Sequence, residues 1–205
     1  MRVDELAKIV EAFKSAVLDR LKSIDDNIQS LKEGNEKIEA RLKWVEDKLS
    51  KLEDQSRREN LLFFGHKESK DEKWEETEKK ISKFVKEKLE IEGEILFHRV
   101  HRLGRPRQGV NSRPIIAKFL LFKDKDRVLR NAYKLKDTPF SISEDFCEAT
   151  RERRKMLFPH LKKAKEAGSR AFLKVDALHI DGSIFHVVGD AVKNKKTGQP
   201  IMWEN

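Results

Sequence analysis

The chain has 205 residues, of which 40% are charged and only 38% hydrophobic. That is too little apolar material to cover one compact globule of this length, so the composition predicts an extended part joined to smaller packed parts. The single cysteine, Cys147, excludes an intrachain disulfide framework and a cysteine-based zinc finger. No apolar run approaches the roughly 18 residues of a membrane span, and the absence of a charged-then-apolar leader points to an intracellular protein.

The net charge of +9 is unevenly spread. Residues 1–52 hold 11 basic and 11 acidic side chains, residues 53–94 hold 10 and 13, and residues 95–205 hold 24 and 12. A positive field concentrated in the second half suits a polyanion, with nucleic acid the first candidate and an anionic membrane surface the second.

From the start of the chain, apolar residues recur at alternating steps of four and three, through Leu6, Val10, Phe13, Val17, Leu21 and Ile24. The series continues as Ile28, Leu31, Asn35, Ile38, Leu42, Val45, Leu49 and Leu52. This heptad spacing predicts a parallel coiled coil over residues 1–55, with a stutter between Phe13 and Leu21. Leucine prevails at a positions and β-branched residues at d, which favours three or four strands over two. Arg41 at g and Glu46 at e can bridge neighbouring helices around Leu42 and Val45. The string Arg41-Leu-Lys-Trp-Val-Glu46 resembles the trimer-specifying motif of short coiled coils. The residues expected to hold a trimer are Ile28, Leu31, Asn35, Ile38, Arg41, Leu42, Val45, Glu46, Leu49 and Leu52. The basic excess lies far C-terminal to the heptads, which argues against a bZIP arrangement.

Residues 56–143 predict a small α/β domain. Leu61–Phe64, closed by Gly65, reads as a buried strand. Trp74–Leu89 has helical spacing, and Ile95–Arg102 is a second strand. A basic Gly/Pro loop leads to a third strand at Pro114–Phe122. A helix over 124–136 and a short strand at Pro139–Ser143 complete a βαββαβ order. This is the ferredoxin-like arrangement of which the RNA recognition motif (RRM) is one member. The third strand lacks the usual stacking aromatics, so Arg and Lys contacts should dominate any RNA binding.

Residues 144–189 predict a small α+β C-terminal domain. Asp145-Phe-Cys-Glu148 reads as a capping box opening a basic helix that Gly168 stops. Pro159 should kink or divide that helix. Strands at Ala171–Val175, Ala177–Ile180 and Ser183–Val187 follow, with Asp181-Gly182 as a hairpin turn. Residues 190–205 lack periodicity and read as a flexible tail. The fold class is thus α+β, with an N-terminal coiled coil.

Several strings, in this order, resemble one family: Arg-Leu-Lys-Trp-Val-Glu (41–46), Leu-Glu-Asp-Gln-Ser-Arg-Arg-Glu-Asn-Leu (52–61), His-Arg-Val-His-Arg (98–102) and Arg-Pro-Ile-Ile-Ala-Lys-Phe (113–119). Two more are Lys-Asp-Lys-Asp-Arg-Val-Leu-Arg (123–130) and Ser-Glu-Asp-Phe-Cys-Glu-Ala-Thr-Arg-Glu-Arg-Arg (143–154). The chain is similar, over about residues 38–188, to the RNA-binding protein encoded by the first open reading frame of LINE-type retrotransposons. The resemblance implies a homotrimer that binds single-stranded RNA with little sequence preference. It further implies packaging of the element transcript into a cytoplasmic ribonucleoprotein, with the nucleus as a second compartment, and nucleic-acid chaperone activity that extends to single-stranded DNA.

The basic positions that match the family are Arg57, Arg58, Arg99, Arg102, Arg113, Arg153 and Arg154. Arg130 and Tyr133 are the candidates for a contact late in the second RRM helix. Arg105 and Arg107 in the basic loop, Lys118 on the third strand, and Arg151 and Lys155 beside Arg153 complete the expected nucleic-acid interface. His98 and His101 fall on opposite faces of a strand, so no metal site is expected, and no cofactor motif appears. No phosphate loop, zinc signature or nucleophile elbow is present, which disfavours an enzyme. Two alternatives stay open from the residues: a coiled-coil protein-interaction scaffold, and a domesticated or degenerate element copy that retains RNA binding.

Overall fold

A computed structural model describes residues 3–105, 112–201 and 203. The protein is α+β, with a long N-terminal helix followed by two antiparallel sheets. It divides into two compact units, residues 1–49 and 50–205. Helix α1 (Val3–Arg57) makes up the first unit, and its last two turns belong to the second. No proline interrupts it. Its heptad residues from Leu6 to Leu52 are 41% to 69% exposed, Asn35 aside. Exposed to this degree, an apolar stripe on a polar helix is the seam of an amphipathic helix.

In the second unit, β1 (Asn60–Phe64), α2 (Trp74–Lys88), β2 (Phe97–Arg102), β3 (Ile115–Phe119), α3 (Phe122–Asn131) and β4 (Ser141–Glu144) follow in the βαββαβ order. The sheet order is β2-β3-β1-β4, antiparallel throughout. Alternation along the strands puts Leu61, Phe63, Val100, Ile115, Ala117 and Phe119 on one face. There they form one core with Ile81, Phe84 and Val85 of α2 and Val128 of α3. β3 is shorter than expected: Leu120, Leu121 and Phe122 leave the sheet into the start of α3 and are each more than half exposed. Gly65 closes β1 at φ +87°, and a Cβ there would collide with the Pro139 carbonyl oxygen. Glycine is therefore required at that crossing.

One end of this core holds a buried polar network. Glu72 accepts hydrogen bonds from Arg102 Nε (3.0 Å), Thr77 Oγ1 (2.8 Å), Lys80 Nζ (2.5 Å) and the Ser69 N–H (3.0 Å). Arg102 spends its other donors on the carbonyls of His66, Lys67 and Arg113 and on the second Glu72 oxygen. All five of its N–H groups are thereby satisfied. The His66 ring lies among Phe63, Phe84 and Phe140, with centroids 6.3, 4.5 and 5.0 Å away.

Helix α4 (Glu148–Glu166) packs on a second sheet made of β5 (Ala171–Lys174), β6 (Ala177–Ile180), β7 (Ser183–Val188) and β8 (Ala191–Asn194), in that order. Leu157 and Leu161 meet Leu173, Leu178, Ile180, Phe185, Val187 and Val192 in its core. Asp181 and Gly182 both have positive φ, the conformation of a two-residue hairpin turn.

Three expectations for this region are corrected. Pro159 does not divide α4, which runs as one helix from Glu148 to Glu166, although the proline has no N–H to offer the Lys155 carbonyl. Asp145 does not cap α4. The N-cap is Cys147, and Asp54 of α1 takes the capping role by accepting the Cys147 N–H (2.7 Å) and the Thr150 hydroxyl (2.6 Å). Residues from Asp190 are not a bare tail: β8 pairs with β7, Ile201 joins the core, and Trp203 Nε1 donates to His160 Nδ1 at 2.9 Å.

The core network sets an acid limit on stability. Burial among the phenylalanines, with Arg102 and Lys80 nearby, pushes His66 down to about 4. Burial alone would raise Glu72, but the bonds from Arg102 and Lys80 outweigh it and hold that carboxyl at about 2. His66 therefore contributes stability in full above its unfolded pKa of about 6.5, and this is lost as pH falls from there towards 4. Glu72 adds a second loss below about 4.5. Denaturant unfolding at a series of pH values should show a fall of up to about 3 kcal/mol between pH 6.5 and 4 from His66. His66→Phe, which keeps the aromatic packing, should flatten that slope.

Candidate nucleic-acid interface

The cations expected at the interface fall into two groups. Arg57, Arg102, Arg113, Arg153 and Arg154 are tied into the structure, whereas Arg58, Arg99, Arg105, Arg130, Arg151 and Lys155 are exposed and Lys118 is half-buried beside them. Arg107 lies outside the described residues.

Arg57 Nη1 donates to Asp145 Oδ1 (3.0 Å) and Nη2 to Glu53 Oε1 (2.7 Å). Burial alone would lower its pKa, but Asp145 and Glu53 outweigh burial and raise it. Asp145 has a side chain only 5% exposed and also accepts the Asn60 amide at 2.9 Å. Arg113 forks onto both oxygens of Glu68 and reaches the Gly104 carbonyl, so each partner stabilises the other's charge. Arg102 is the clearest departure from expectation. Its side chain is 4% exposed with no donor left for a phosphate. It braces the loop after β1.

Arg153 and Arg154 do not stand opposite the buried face of α4 but flank it, three and four residues before Leu157. Arg153 Nε lies 2.8 Å from Asp176 Oδ2, an ion pair whose N–H is not aimed at the oxygen. Its Nη2 donates to Thr150. Arg154 donates to the Val175 carbonyl, and its guanidinium lies 4.6 Å from the Phe146 ring centroid and 6.0 Å from that of Phe158. Burial lowers its pKa, opposed by Glu144 and Asp176. An arginine so placed stays charged, and its field faces a half-open aromatic surface.

The exposed group has a different character. Arg99 and Lys118 are register partners on the face of the first sheet turned away from α2 and α3, with His101 two residues from Arg99 on that face. Lys118 Nζ is 4.0 Å from Glu59, and its side chain is 37% exposed. Arg58, 59% exposed, makes only a loose 3.7 Å approach to the same carboxylate. On α4, Arg151 and Lys155 share one exposed face with Phe158, which is 51% exposed. Arg130 pairs with Asp126 in the preceding turn and is 78% exposed, and Tyr133 is 73% exposed. Both stand on the helix side of the first sheet, away from Arg99 and Lys118.

A cleft of about 270 Å³ opens where the end of α1 meets the starts of α3 and α4, lined among others by Arg57, Arg58, Phe122, Lys125, Phe146 and Val175. Phe122 is 53% exposed, with Lys125 Nζ 5.6 Å from its ring centroid. Sequence reasoning missed this aromatic lining. The signal was the length of the third strand: nine residues is long for a small sheet, and its last three are apolar side chains with nothing to bury them. Among the described residues no cluster of His, Cys, Asp or Glu can hold a metal ion, and no helix is long and apolar enough to cross a membrane. Neither a protein-family profile nor a curated protein matches the chain.

Replacing a brace and replacing an exposed cation should therefore differ sharply. Arg102→Ala strands the buried Glu72 carboxylate and is expected to cost roughly 3–5 kcal/mol in urea unfolding. Arg151→Ala should stay within about 0.5 kcal/mol of the parent. Asp54→Ala, which removes the cap of α4, should cost about 1–2 kcal/mol.

Proposed function

We propose that this protein is a single-stranded nucleic-acid-binding protein that assembles as a homotrimer through α1, of the kind that packages the transcript of a LINE-type retrotransposon. The observation that carries the reading is the first sheet. It has the strand order β2-β3-β1-β4, both helices pack on one face, and Arg99 and Lys118 lie on the other. This arrangement supports an RRM reading, in which the sheet face free of helices receives the strand. Here the contacts are ionic. Leu62 and Ile116 at the centre of that face are covered, each only 9% exposed, so the contacts fall to the cations around them rather than to stacking aromatics.

Arg58, Arg99, Arg105, Lys118, Arg151 and Lys155 supply the phosphate contacts, while the internally paired arginines keep the scaffold rigid. Binding of this kind tolerates any sequence, because phosphates carry no base identity. The coiled coil multiplies the effect: three arms on one stalk engage a long strand together, each holding it near the others. The exposed heptad stripe of α1 supports that assembly, with Asn35 fixing register and Arg41–Glu46 bridging helices. Chaperone activity follows from many weak, exchangeable contacts rather than a few tight ones.

Salt titration tests the reading. Affinity for a mixed-sequence single-stranded RNA should fall steeply with salt, and the log–log slope should drop by roughly 0.7 for each phosphate contact removed among Arg58, Arg99, Arg151 and Lys155. Affinity independent of salt would overturn it. An absence of binding to either RNA or single-stranded DNA would favour an interaction scaffold instead. Sedimentation of the free protein should give three times the chain mass, and a monomer would remove the trimeric part of the proposal.

A further inference from the structure

The second sheet has one face on α4 and one face away from it. Register puts Leu173, Leu178, Phe185 and Val192 on the α4 side. The opposite face is laid out in rows across the strands. Phe172, His179 and Ile184 form one row, and Lys174, Ala177, His186 and Lys193 form the next. The Phe172 and His179 rings are stacked, with centroids 4.8 Å apart and planes only 7° from parallel. Phe172 is nevertheless 47% exposed. A cross-strand ring pair formed only to stabilise a sheet gains from being covered, whereas this one keeps an open flat face. The only formally charged side chains on this face of the four strands are Lys174 and Lys193, and neither is in an ion pair among the described residues. The face is thus flat, aromatic, cationic and free of carboxylates.

We propose that the Phe172–His179 pair is a nucleobase-stacking platform, taking one base of a single-stranded nucleic acid while Lys174 and Lys193 meet the neighbouring phosphates. Two rows along a strand lie about 7 Å apart, twice the rise per residue, which suits a base and its own backbone. An aromatic ring accepts any base through its π face, so the contact preserves sequence tolerance. The proposal rests on the nucleic-acid-binding reading above and adds to it a contact that releases no counterions. It also places that contact on the second sheet, whereas the sequence pointed to the first sheet and the helix before the second.

The test is fluorescence anisotropy of the full chain with a labelled single-stranded RNA of ~30 nucleotides, long enough to span several site sizes, at several salt concentrations. Phe172→Thr keeps a strand-forming residue and removes the ring. It is expected to weaken binding roughly tenfold with the salt slope unchanged, because stacking displaces no ions. Phe172→Trp should retain or improve affinity. Lys174→Ala with Lys193→Ala should instead reduce the slope. If the parent binds and Phe172→Thr binds equally, the platform is overturned while the general reading stands. If Thr and Trp variants weaken binding alike, the ring is not being read and the platform is again overturned. If the parent does not bind at all, both fail together. Photocrosslinking of the parent to RNA carrying 5-iodouridine needs no variant to fold: a crosslink in the peptide holding Phe172 or His179 supports the platform, and crosslinks confined to other segments overturn it.

Discussion

At the end of α1, two carboxylates join three separate stretches of chain. Asp54 caps α4 from the last turn of α1, and Asp145, nearly buried just before α4, receives Arg57 from α1 and Asn60 from the start of β1. A buried carboxylate is tolerated only when its lone pairs are met by donors, so these groups hold one another in place. The first sheet begins at Asn60 and ends at Glu144, and the helix that carries the second sheet begins at Glu148. The placement of one sheet against the other is therefore decided by a handful of charge-assisted hydrogen bonds rather than by a large apolar seam. The cleft beside Phe122 and Phe146 opens at this junction and inherits its geometry.

A strongly basic chain can spend its cations in two ways, and this one does both. Arginine's planar fork suits it to bracing, and the five filled donors of Arg102 are the limiting case. Of the cations expected at the interface, those left exposed lie on the helix-free face of the first sheet, just past the ends of α1 and β2, on α3 and on one side of α4. The distinction matters because the count of 45 basic residues overstates the cations free at the surface: Arg113, Arg102 and Arg57 are already neutralised by Glu68, Glu72 and Asp145. What remains is a thinner and more regular field.

Much of this was legible in the sequence, for identifiable reasons. The helical spacing over the first 55 residues, the apolar run Leu61–Phe64 closed by Gly65 and the Asp181-Gly182 turn are local patterns, and each marks an element of the structure: α1, β1 and the β6–β7 hairpin. The misses came from contacts distant in sequence. Asp145 looked like a cap because caps are usually local, but the capping group sits 93 residues upstream of Cys147. Strand β8 has a single buried residue, Val192, too little to show a period. The fate of Arg102 was in fact readable: on a strand it shares a face with Val100, and Val100 is core. A basic residue in a basic string suggests a phosphate contact, but alternation along the strand is the better guide to burial.

The contact between Trp203 and His160 has an optical consequence. The indole ring lies 5.9 Å from the imidazole and nearly parallel to it, and its N–H donates to the same nitrogen that a proton would have to occupy. Burial and the nearby Lys163 already lower the affinity of His160 for that proton. A protonated imidazole quenches indole emission and a neutral one does so far less. Trp44 and Trp74, by contrast, are both more than half exposed. Trp203 is thus set apart from these two solvated fluorophores, because its emission follows the protonation of His160 and reports whether the end of the chain is seated on α4.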